Sequence, residues 1–191
     1  MELQATSRWQ RPALSFFLLE EGDVGPAYVD WLNDPRVNRF LEIRFSPQTL
    51  ESTRAFVRSC RQSSHSVLWG LRATALGGRH IGNIKLGPID RQHGLGEIGL
   101  MLGEPESWGR GLARTAIDMV CEIGTHELGL RKFTAGCCAG NLGSERAFLA
   151  AGFSVEARRP AHLLLDGQPE DLVLLARFAT DRAARSAASP A

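Results

Sequence analysis

The sequence GLGEIGLMLGEPESWGRGLARTAIDMVC, from Gly94 to Cys121, decides the fold of this chain. In its first part Ile98, Leu100 and Leu102 share one face, which is the period of a strand with a buried side. In its second part the apolar residues recur at helical spacing, as Leu112, Ala116, Met119, Val120 and Ile123. The stretch therefore predicts a strand, a glycine-containing turn and an amphipathic helix in direct succession.

The turn between these elements reads Trp108-Gly109-Arg110-Gly111 and leads directly into the helix. The first N–H groups of a helix have no intrahelical partner, and the helix dipole adds positive potential there, so an anion such as phosphate can bind. A dinucleotide fingerprint would need a third glycine at Arg114, and a nucleoside-triphosphate loop would need Gly-Lys-Ser or Gly-Lys-Thr. Two interpretations remain open, an anion site of another kind or a simple tight turn.

The bulk composition is that of one soluble globular domain. A chain of 191 residues with 43% hydrophobic and 23% charged residues is of ordinary composition, and its net charge of +1 gives no general attraction to nucleic acid or to a membrane. No apolar run reaches the roughly 18 residues that cross a bilayer. The first ten residues lack the apolar core of an export signal, so we expect a cytoplasmic protein.

The four cysteines do not indicate a metal site. Cys60, Cys121, Cys137 and Cys138 contain no CxxC pair, and two adjacent residues of a strand point to opposite faces. We expect reduced, partly buried thiols and no bound metal.

The remaining elements follow from periodicity and turn residues. We predict, in order, a strand, two helices, three antiparallel strands, a helix, a strand, a helix and two strands, the last two from Gly152 to Ala157 and from Leu172 to Phe178. The second helix is predicted to begin with Ser46 as N-cap and Pro47 at its first position, and to face inward with Leu50, Phe56, Val57 and Cys60. The segment Thr180 to Ala191 is rich in alanine and serine and predicts a disordered tail.

Two motifs at this spacing resemble the GNAT superfamily of acyl-CoA-dependent N-acetyltransferases, over roughly residues 14 to 178. In that family a loop of Gln or Arg, two residues, Gly, one residue and Gly or Ala holds the coenzyme A pyrophosphate; here Glu106 to Gly111 reads ESWGRG. The second motif, Asn141-Leu142-Gly143-Ser144 followed by Gly152-Phe153, is similar to the RimJ/RimL-type branch of ribosomal-protein N-terminal acetyltransferases, as are Trp31 to Pro35 (WLNDP) and Glu97-Ile98-Gly99.

The resemblance implies an α+β fold for residues 1–179, with a mixed, mostly antiparallel sheet of about seven strands and about four flanking helices. It implies acetyl-CoA as co-substrate, a small-molecule or peptide amine as acceptor, no nucleic-acid or membrane partner, and a possible homodimer. Glu106 replaces the usual Gln or Arg, and Arg114-Thr115 replaces Thr-Glu, so binding is expected to rest on backbone amides and Arg110. The cofactor-binding residues implied are Leu100, Met101, Leu102, Trp108, Gly109, Arg110, Gly111, Leu112, Ala113, Arg114, Asn141, Ser144 and Phe148.

Two residues are candidates for catalysis. Glu97 lies at the start of the strand that the family opens next to the thioester, where it could take a proton from the amine; otherwise it is a solvated glutamate. Ser144 is the polar residue expected near the sulfur. Many relatives have a tyrosine acid seven residues after the motif asparagine, but Phe148 cannot donate a proton. Asn141 could bind pantetheine or only cap its helix.

The acceptor is expected to meet Trp31, Asn33, Arg36 and Asn38, although these residues also fit an ordinary helix end with a solvated face. His80 and His93 are interpreted as solvent-facing turn residues. The leading hypothesis is direct attack by a primary amine on acetyl-CoA in a ternary complex, with a protein N-terminus or an amino sugar as acceptor. The alternative is a non-catalytic coenzyme A-binding or regulatory module.

Overall fold

The computed structural model describes residues 6–179, so the predicted tail from Thr180 lies outside the described residues. Seven strands form one sheet in the order β1-β2-β3-β4-β5-β7-β6. The strands are β1 (Leu14–Leu18), β2 (Val67–Ala73), β3 (Arg79–Asp90), β4 (Leu95–Leu102), β5 (Lys132–Cys138), β6 (Ser154–Leu165) and β7 (Gln168–Phe178). The helices are α1 (Pro26–Asn33), α2 (Pro35–Asn38), α3 (Leu50–Gln62), α4 (Leu112–Leu128) and α5 (Leu142–Ala150).

This architecture confirms the predicted α+β fold with a mostly antiparallel sheet. Among the neighbouring strand pairs only β4 and β5 are parallel. The described part of the chain has one more α-helix than predicted, because the short segment after α1 forms the single turn α2. Asp34 caps that turn by accepting a hydrogen bond from the backbone N–H of Arg36 at 2.9 Å, and Pro35 occupies its first position.

Helices cover both faces of the sheet. The main hydrophobic core includes α4 residues such as Ile117 and Met119 together with Trp69, Ile84 and Ile98 of the sheet. A second cluster on the other face packs Tyr28 and Trp31 of α1 and Val57 and Cys60 of α3 against Leu68 of β2. The alternation along β4 is therefore confirmed: Ile98, Leu100 and Leu102 contact the main core, whereas Met101 contacts the second cluster.

The predicted start of α3 is wrong. The helix begins at Leu50, because Thr49 and Ser52 form a reciprocal capping box in which each side chain accepts a hydrogen bond from the other residue's backbone N–H. Of the residues predicted to face inward, Val57 and Cys60 are buried, whereas Leu50 and Phe56 are exposed, and Thr53 completes the buried stripe. A proline after a serine was thus a weaker signal than the capping pair that follows it.

The last two strands are longer than predicted. The sequence pattern ended the first of them at Ala157, but β6 continues to Leu165 and pairs with β7 as far as Gln168. Most of β6 is exposed at the edge of the sheet, so its second half has no apolar alternation to mark it.

His80 is not the solvent-facing turn residue that was predicted. Its ring lies on the α1 face of the sheet, with centroid distances of 5.1 Å to Trp31, 5.2 Å to Phe17 and 5.8 Å to Tyr28. Nε2 donates to the carbonyl of Gly82 at 2.9 Å and to the side-chain oxygen of Asn83 at 2.8 Å, which places the proton of the neutral ring on Nε2. Burial lowers the pKa of His80.

The four cysteines are free and buried, as expected. Within residues 6–179, no group of three or more His, Cys, Asp or Glu side chains could hold a metal ion. No helix in this part of the chain is long and apolar enough to cross a membrane.

Candidate active site

The candidate site begins where β4 and β5 separate. The two parallel strands pair at Leu95 with Lys132, at Gly96 with Phe133 and at Glu97 with Thr134. Beyond Glu97, β4 continues to Leu102 beside β3 alone, and β5 continues to Cys138 beside β7 alone. The backbone groups of β4 that point away from β3 therefore lack a strand partner between Ile98 and Leu102. Such groups can hydrogen-bond an extended ligand that enters between the strands.

The glycine-containing turn lies at the end of β4. Gly109 and Gly111 have φ angles of 71° and 74°, which other residues adopt only with strain. A Cβ atom added at either position would meet no atom within 4 Å, so the space in front of both residues is open. The first hydrogen bond of α4 runs from the N–H of Thr115 to the carbonyl of Gly111 at 3.1 Å.

The N–H groups at the start of α4 are therefore free to bind an anion. In the described part of the chain, the N–H groups of Leu112 and Ala113 have no backbone acceptor. Free donors, the positive end of the helix dipole and open space in front of the glycines together form a cradle that fits a phosphate group.

Trp108 fixes this turn relative to β4. Its indole Nε1 donates a hydrogen bond to the carbonyl oxygen of Leu102 at 2.9 Å, although the side chain remains 41% exposed. On the other side, Nε of Arg110 donates to the carbonyl of Glu106 at 2.7 Å. The Glu106 carboxylate points elsewhere and pairs with Arg79 at 2.7 Å. The residue that departs from the family motif is thus neutralised by a cation of β3.

Helix α5 starts on the β5 side of the opening. Asn141 is its N-cap, and its side-chain oxygen accepts the N–H of Ser144 at 3.1 Å. The same asparagine lines the cavity described below, so capping occupies the oxygen and leaves the side-chain NH2 group for a ligand. The two interpretations of Asn141 are therefore compatible.

One cavity of about 360 Å³ joins these elements. Nine of the predicted cofactor-binding residues line it: Leu100, Met101, Leu102, Trp108, Gly109, Ala113, Asn141, Ser144 and Phe148. Gly111, the N-cap of α4, and Leu112, its first residue, lie between the lining residues Gly109 and Ala113. Arg110 is exposed and Arg114 lines a different cavity, so neither side chain is part of the main one.

Glu97 does not line this cavity. It is exposed and lies on the same face of β4 as Gly99 and Met101, at the last residue that pairs with β5. A Cβ atom at Gly99 would meet nothing within 4 Å, so the strand surface between Glu97 and the cavity residue Met101 is open. Its role as a base stays a prediction.

Of the four predicted acceptor residues, only Arg36 lines the cavity. Asn33 bridges two segments, donating to the carbonyl of Gln48 at 2.8 Å and accepting its N–H at 2.8 Å. Asn38 donates to the carbonyl of Leu32 at 2.8 Å. Trp31 is buried in the second cluster, where its ring leaves no room for a Cβ atom at Gly103. These three side chains therefore have structural contacts that the sequence pattern did not predict.

Ser144 lies beside Cys137 rather than beside a base. Burial raises the pKa of the Cys137 thiol, and a hydrogen bond with the Ser144 side chain opposes this shift. A neutral thiol cannot activate a hydroxyl as a nucleophile, so the local chemistry fits a proton donor better than an acylated serine. Phe148 is buried and packs edge-on against Phe153 at 5.0 Å, where it provides an apolar wall.

Sequence reasoning missed five lining residues. They are apolar or small and lie on the segment after α1 and on α5: Val37, Phe40, Leu41, Gly143 and Ala147. Gly143 and Ala147 could have been predicted from the spacing on α5, because residues three or four apart share a helix face, and Ala147 lies three residues after the predicted Ser144. No local signal distinguishes the first three from ordinary core residues.

The comparisons with known proteins agree with this geometry. The family model for the acetyltransferase (GNAT) domain matches residues 14–154. The chain belongs to the GNAT acetyltransferase family. That match includes β1 through α5, and therefore both motifs that line the cavity. A search of the curated proteins finds no match.

Solved GNAT structures show the same fold at low sequence identity. A spermidine N-acetyltransferase from Vibrio cholerae, in complex with CoA and spermine, is 18% identical with a TM-score of 0.78, over 88% of this chain and 97% of the other. RimL, a ribosomal L7/L12 alpha-N-protein acetyltransferase in complex with coenzyme A, is 18% identical with a TM-score of 0.76, over 88% and 95%. A GNAT acetyltransferase from Bacillus anthracis is 20% identical with a TM-score of 0.76, over 90% and 98%.

Acetyl-CoA is the co-substrate of this GNAT domain, and the residues present fit it. The cradle at the start of α4 suits the pyrophosphate, and the unpaired edge of β4 suits the amide-containing pantetheine arm. The apolar walls supplied by Leu100, Phe148 and Ala147 suit its methylene groups. The specific RimJ/RimL branch is a finer assignment, which depends on the acceptor.

Proposed function

We propose that this protein transfers the acetyl group of acetyl-CoA to a primary amine by direct attack in a ternary complex, with a protein N-terminal amine or an amino sugar as acceptor. The observation that carries the proposal is the single cavity that joins the glycine cradle of α4 to the opening between β4 and β5. A thioester held there lies beside β4, within reach of an amine that approaches over Gly99.

The β4 edge provides the first contribution to catalysis. Pairing with β3 holds the backbone from Leu100 to Leu102 in place, and the N–H groups there that point away from β3 face the opening without a strand partner. Donors fixed in this way can polarise the thioester carbonyl and stabilise the oxyanion that forms when the amine attacks. No side chain has to form a covalent intermediate in this scheme.

Glu97 provides the second contribution. An alkyl ammonium has a pKa near 10, so most of the acceptor is protonated at neutral pH and cannot attack. The Glu97 carboxylate is exposed at the base of the opening and shares the face of β4 with Gly99, whose missing side chain leaves a path to the cavity. We infer that it removes the proton through a water molecule, because its side chain does not line the cavity itself.

Ser144 provides the third contribution to catalysis. The departing thiolate needs a proton, and the Ser144 hydroxyl lies in the cavity at the first turn of α5. Its N–H is used by the Asn141 cap and its hydroxyl contacts the Cys137 thiol, so the hydroxyl has to leave this weak sulfur contact to protonate the thiolate. A water molecule can replace it, so the expected contribution of Ser144 is smaller than that of Glu97.

The charges of the cavity favour an acceptor without several positive charges. The fifteen lining residues include no carboxylate, and their one charged side chain, Arg36, pairs with the Asp34 carboxylate at 2.6 Å. A polyamine would need acidic partners, so spermidine-like acceptors are disfavoured despite the structural similarity to a spermidine N-acetyltransferase. The aromatic ring of Phe40 suits a peptide N-terminus or an amino sugar, and Nη1 of Arg36, which the Asp34 pair does not use, can meet an anionic group on that acceptor. A homodimer stays a prediction.

A non-catalytic coenzyme A-binding module is the second candidate, because Phe148 is an apolar residue in the place of the tyrosine acid of many relatives. A thiol-release assay with acetyl-CoA and pooled amines, run beside calorimetric binding of CoA, separates the two functions. The enzyme is expected to release free CoA only when an acceptor is present. Tight binding of CoA without acetylation of any amine would support the module instead.

A further inference from the structure

One face of the sheet is open where β4 and β5 separate. Glu97 and Thr134 form the last pair between the two strands, and the next residues with the same orientation are Gly99 and Gly136, two positions further along each strand. Both glycines are exposed. A Cβ atom at Gly99 would meet nothing within 4 Å, and one at Gly136 would make only ordinary contacts with β7, at 3.5 Å or more. On this face the opening therefore has a mouth without side chains.

Lys85 of β3 lies beside this mouth. It is directly opposite Gly99 of β4 on one side and directly opposite Leu68 of β2 on the other. Leu68 belongs to the second cluster, so this row of three residues lies on the face of the sheet that α1 and α3 cover in part. Because Glu97 and Met101 lie two positions to either side of Gly99, Lys85 is a diagonal neighbour of both, within reach of a long side chain.

The Lys85 ammonium has no counter-ion in the part of the chain that the structure describes. Of the two lysines in the sequence, Lys132 pairs with Glu156, whereas Lys85 forms neither a salt bridge nor a side-chain hydrogen bond within residues 6–179. Its side chain is nevertheless half-buried. The charge lies near the Cys60 thiol of α3, where it opposes the burial that raises the pKa of that thiol. Since half-buried cations are usually paired, this one is open to an anion from outside the chain.

Lys85 differs in this respect from Arg36, the cation that lines the main cavity. Nε and Nη2 of Arg36 already donate to the Asp34 carboxylate, at 3.1 Å and 2.6 Å. An anion that binds Arg36 has to share it with that carboxylate, whereas an anion that binds Lys85 displaces no protein partner. The two cations also lie on different elements, α2 and β3, so the groups that they bind can be distinguished by substitution.

We propose that Lys85 determines acceptor specificity by binding an anionic group of the acceptor, a carboxylate or a phosphate, while the acceptor amine lies over Gly99. The proposal rests on the proposed acetyl transfer through the opening between β4 and β5. The ammonium supplies up to three donors to such a group and repels an acceptor that carries a second positive charge. The substrate class is therefore an amine with an anionic group a few bonds away, as in an amino sugar phosphate or a peptide N-terminus followed by an acidic residue.

The test compares kcat/KM within two matched pairs of acceptors: glucosamine with glucosamine 6-phosphate, and a peptide that begins Ser-Asn with one that begins Ser-Asp. The wild-type chain is expected to prefer the anionic member of one pair by at least about tenfold, and that pair identifies the source of the anionic group. Lys85→Met should reduce the preference to about twofold or less, chiefly by raising KM for the anionic member. Lys85→Arg should retain it, and Lys85→Glu should reverse it. Arg54→Gln, at an exposed position of α3, is the control and should leave the preference unchanged.

A wild-type chain that acetylates both members of each pair equally well would overturn the proposal and leave acetyl transfer intact. A Lys85→Met variant that keeps the preference would do the same, as would one that loses kcat/KM equally for both members, which is the result of a purely structural role. Calorimetric binding of acetyl-CoA to each variant shows that it is folded. A wild-type chain that acetylates no member of either pair would instead contradict the proposed function together with this role of Lys85.

Discussion

Glu97 and Thr134 form the last residue pair between β4 and β5, and the two strands separate directly beyond them. Glu97 is therefore exposed at the base of the opening that we propose receives the thioester. We expect Glu97→Gln to lower kcat by about 10²- to 10⁴-fold at neutral pH, because the amide cannot take a proton from the acceptor. Steady-state kinetics as a function of pH measure this effect.

The pH profile separates this role from a structural one. The loss should narrow as the pH rises toward the pKa of the amine, since a free amine needs no base. Glu51→Gln, on the exposed first turn of α3, should retain full activity. A Glu97→Gln variant with wild-type turnover at neutral pH would rule out Glu97 as the base.

The cradle can be tested with two glycines at opposite ends of α4. Gly111 and Gly129 have φ angles of 74° and 67°, and a Cβ atom at either position would meet nothing within 4 Å. Substitution by valine should cost each variant about 1–2 kcal/mol of unfolding free energy, because both residues are in the left-handed region. Only Gly111→Val should also lose acetyl-CoA affinity, by about tenfold or more, which corresponds to about 1.4 kcal/mol.

Calorimetric titration of both variants with acetyl-CoA gives the comparison. Unchanged affinity in a folded Gly111→Val variant would mean that the turn only connects β4 to α4. An equal loss in Gly129→Val would attribute the effect to general destabilisation instead.

Ser144→Ala tests the proposed proton donor. Turnover at saturating substrates should fall by about tenfold, less than for a required general acid, because water can protonate the thiolate. The affinity for acetyl-CoA should remain close to wild type, since the N–H of Ser144 still binds the Asn141 cap. Ser59→Ala, on α3, is the control. Full turnover of Ser144→Ala would remove Ser144 from the mechanism.

His80 gives a prediction about stability and pH. Burial lowers its pKa in the folded state below the ordinary value of 6.5, so the unfolded chain binds more protons as the pH falls below that value. The free energy of unfolding should therefore decrease from neutral pH toward pH 5, and less steeply in a His80→Gln variant. Urea denaturation at several pH values measures both slopes, with His93→Gln as the exposed control. Parallel slopes for wild type and His80→Gln would contradict this account.

The sequence predicted the elements whose signals are local. The alternation of Ile98 and Leu100 and the two glycines predicted β4, the turn and α4, and the family motifs indicated the cavity residues Asn141 and Ser144. The predicted start of α3 was wrong because two local signals competed. The helix begins after the capping pair of Thr49 and Ser52 and not at the serine–proline pair before it.

The opposite wall of the cavity could not be predicted, because contacts between distant segments hold it. Arg39 pairs with Asp166 at 2.9 Å, and Arg44 donates to the carbonyl of Leu164 at 2.8 Å. These contacts connect the segment around Phe40 to the tip of the β6–β7 hairpin. The exposed half of that hairpin has no apolar alternation, so the sequence did not predict that Leu164 and Asp166 would lie beside this segment.

Incubation of the purified chain with acetyl-CoA and a panel of amines, followed by mass spectrometry, tests the central claim most directly. The panel should contain peptides with free N-termini, amino sugars with and without an anionic group, and spermidine. We predict that a peptide or an amino sugar gains the mass of one acetyl group, that spermidine does not, and that Glu97→Gln abolishes most of the gain. Binding of CoA without acetylation of any amine would contradict the assignment of this protein as an N-acetyltransferase.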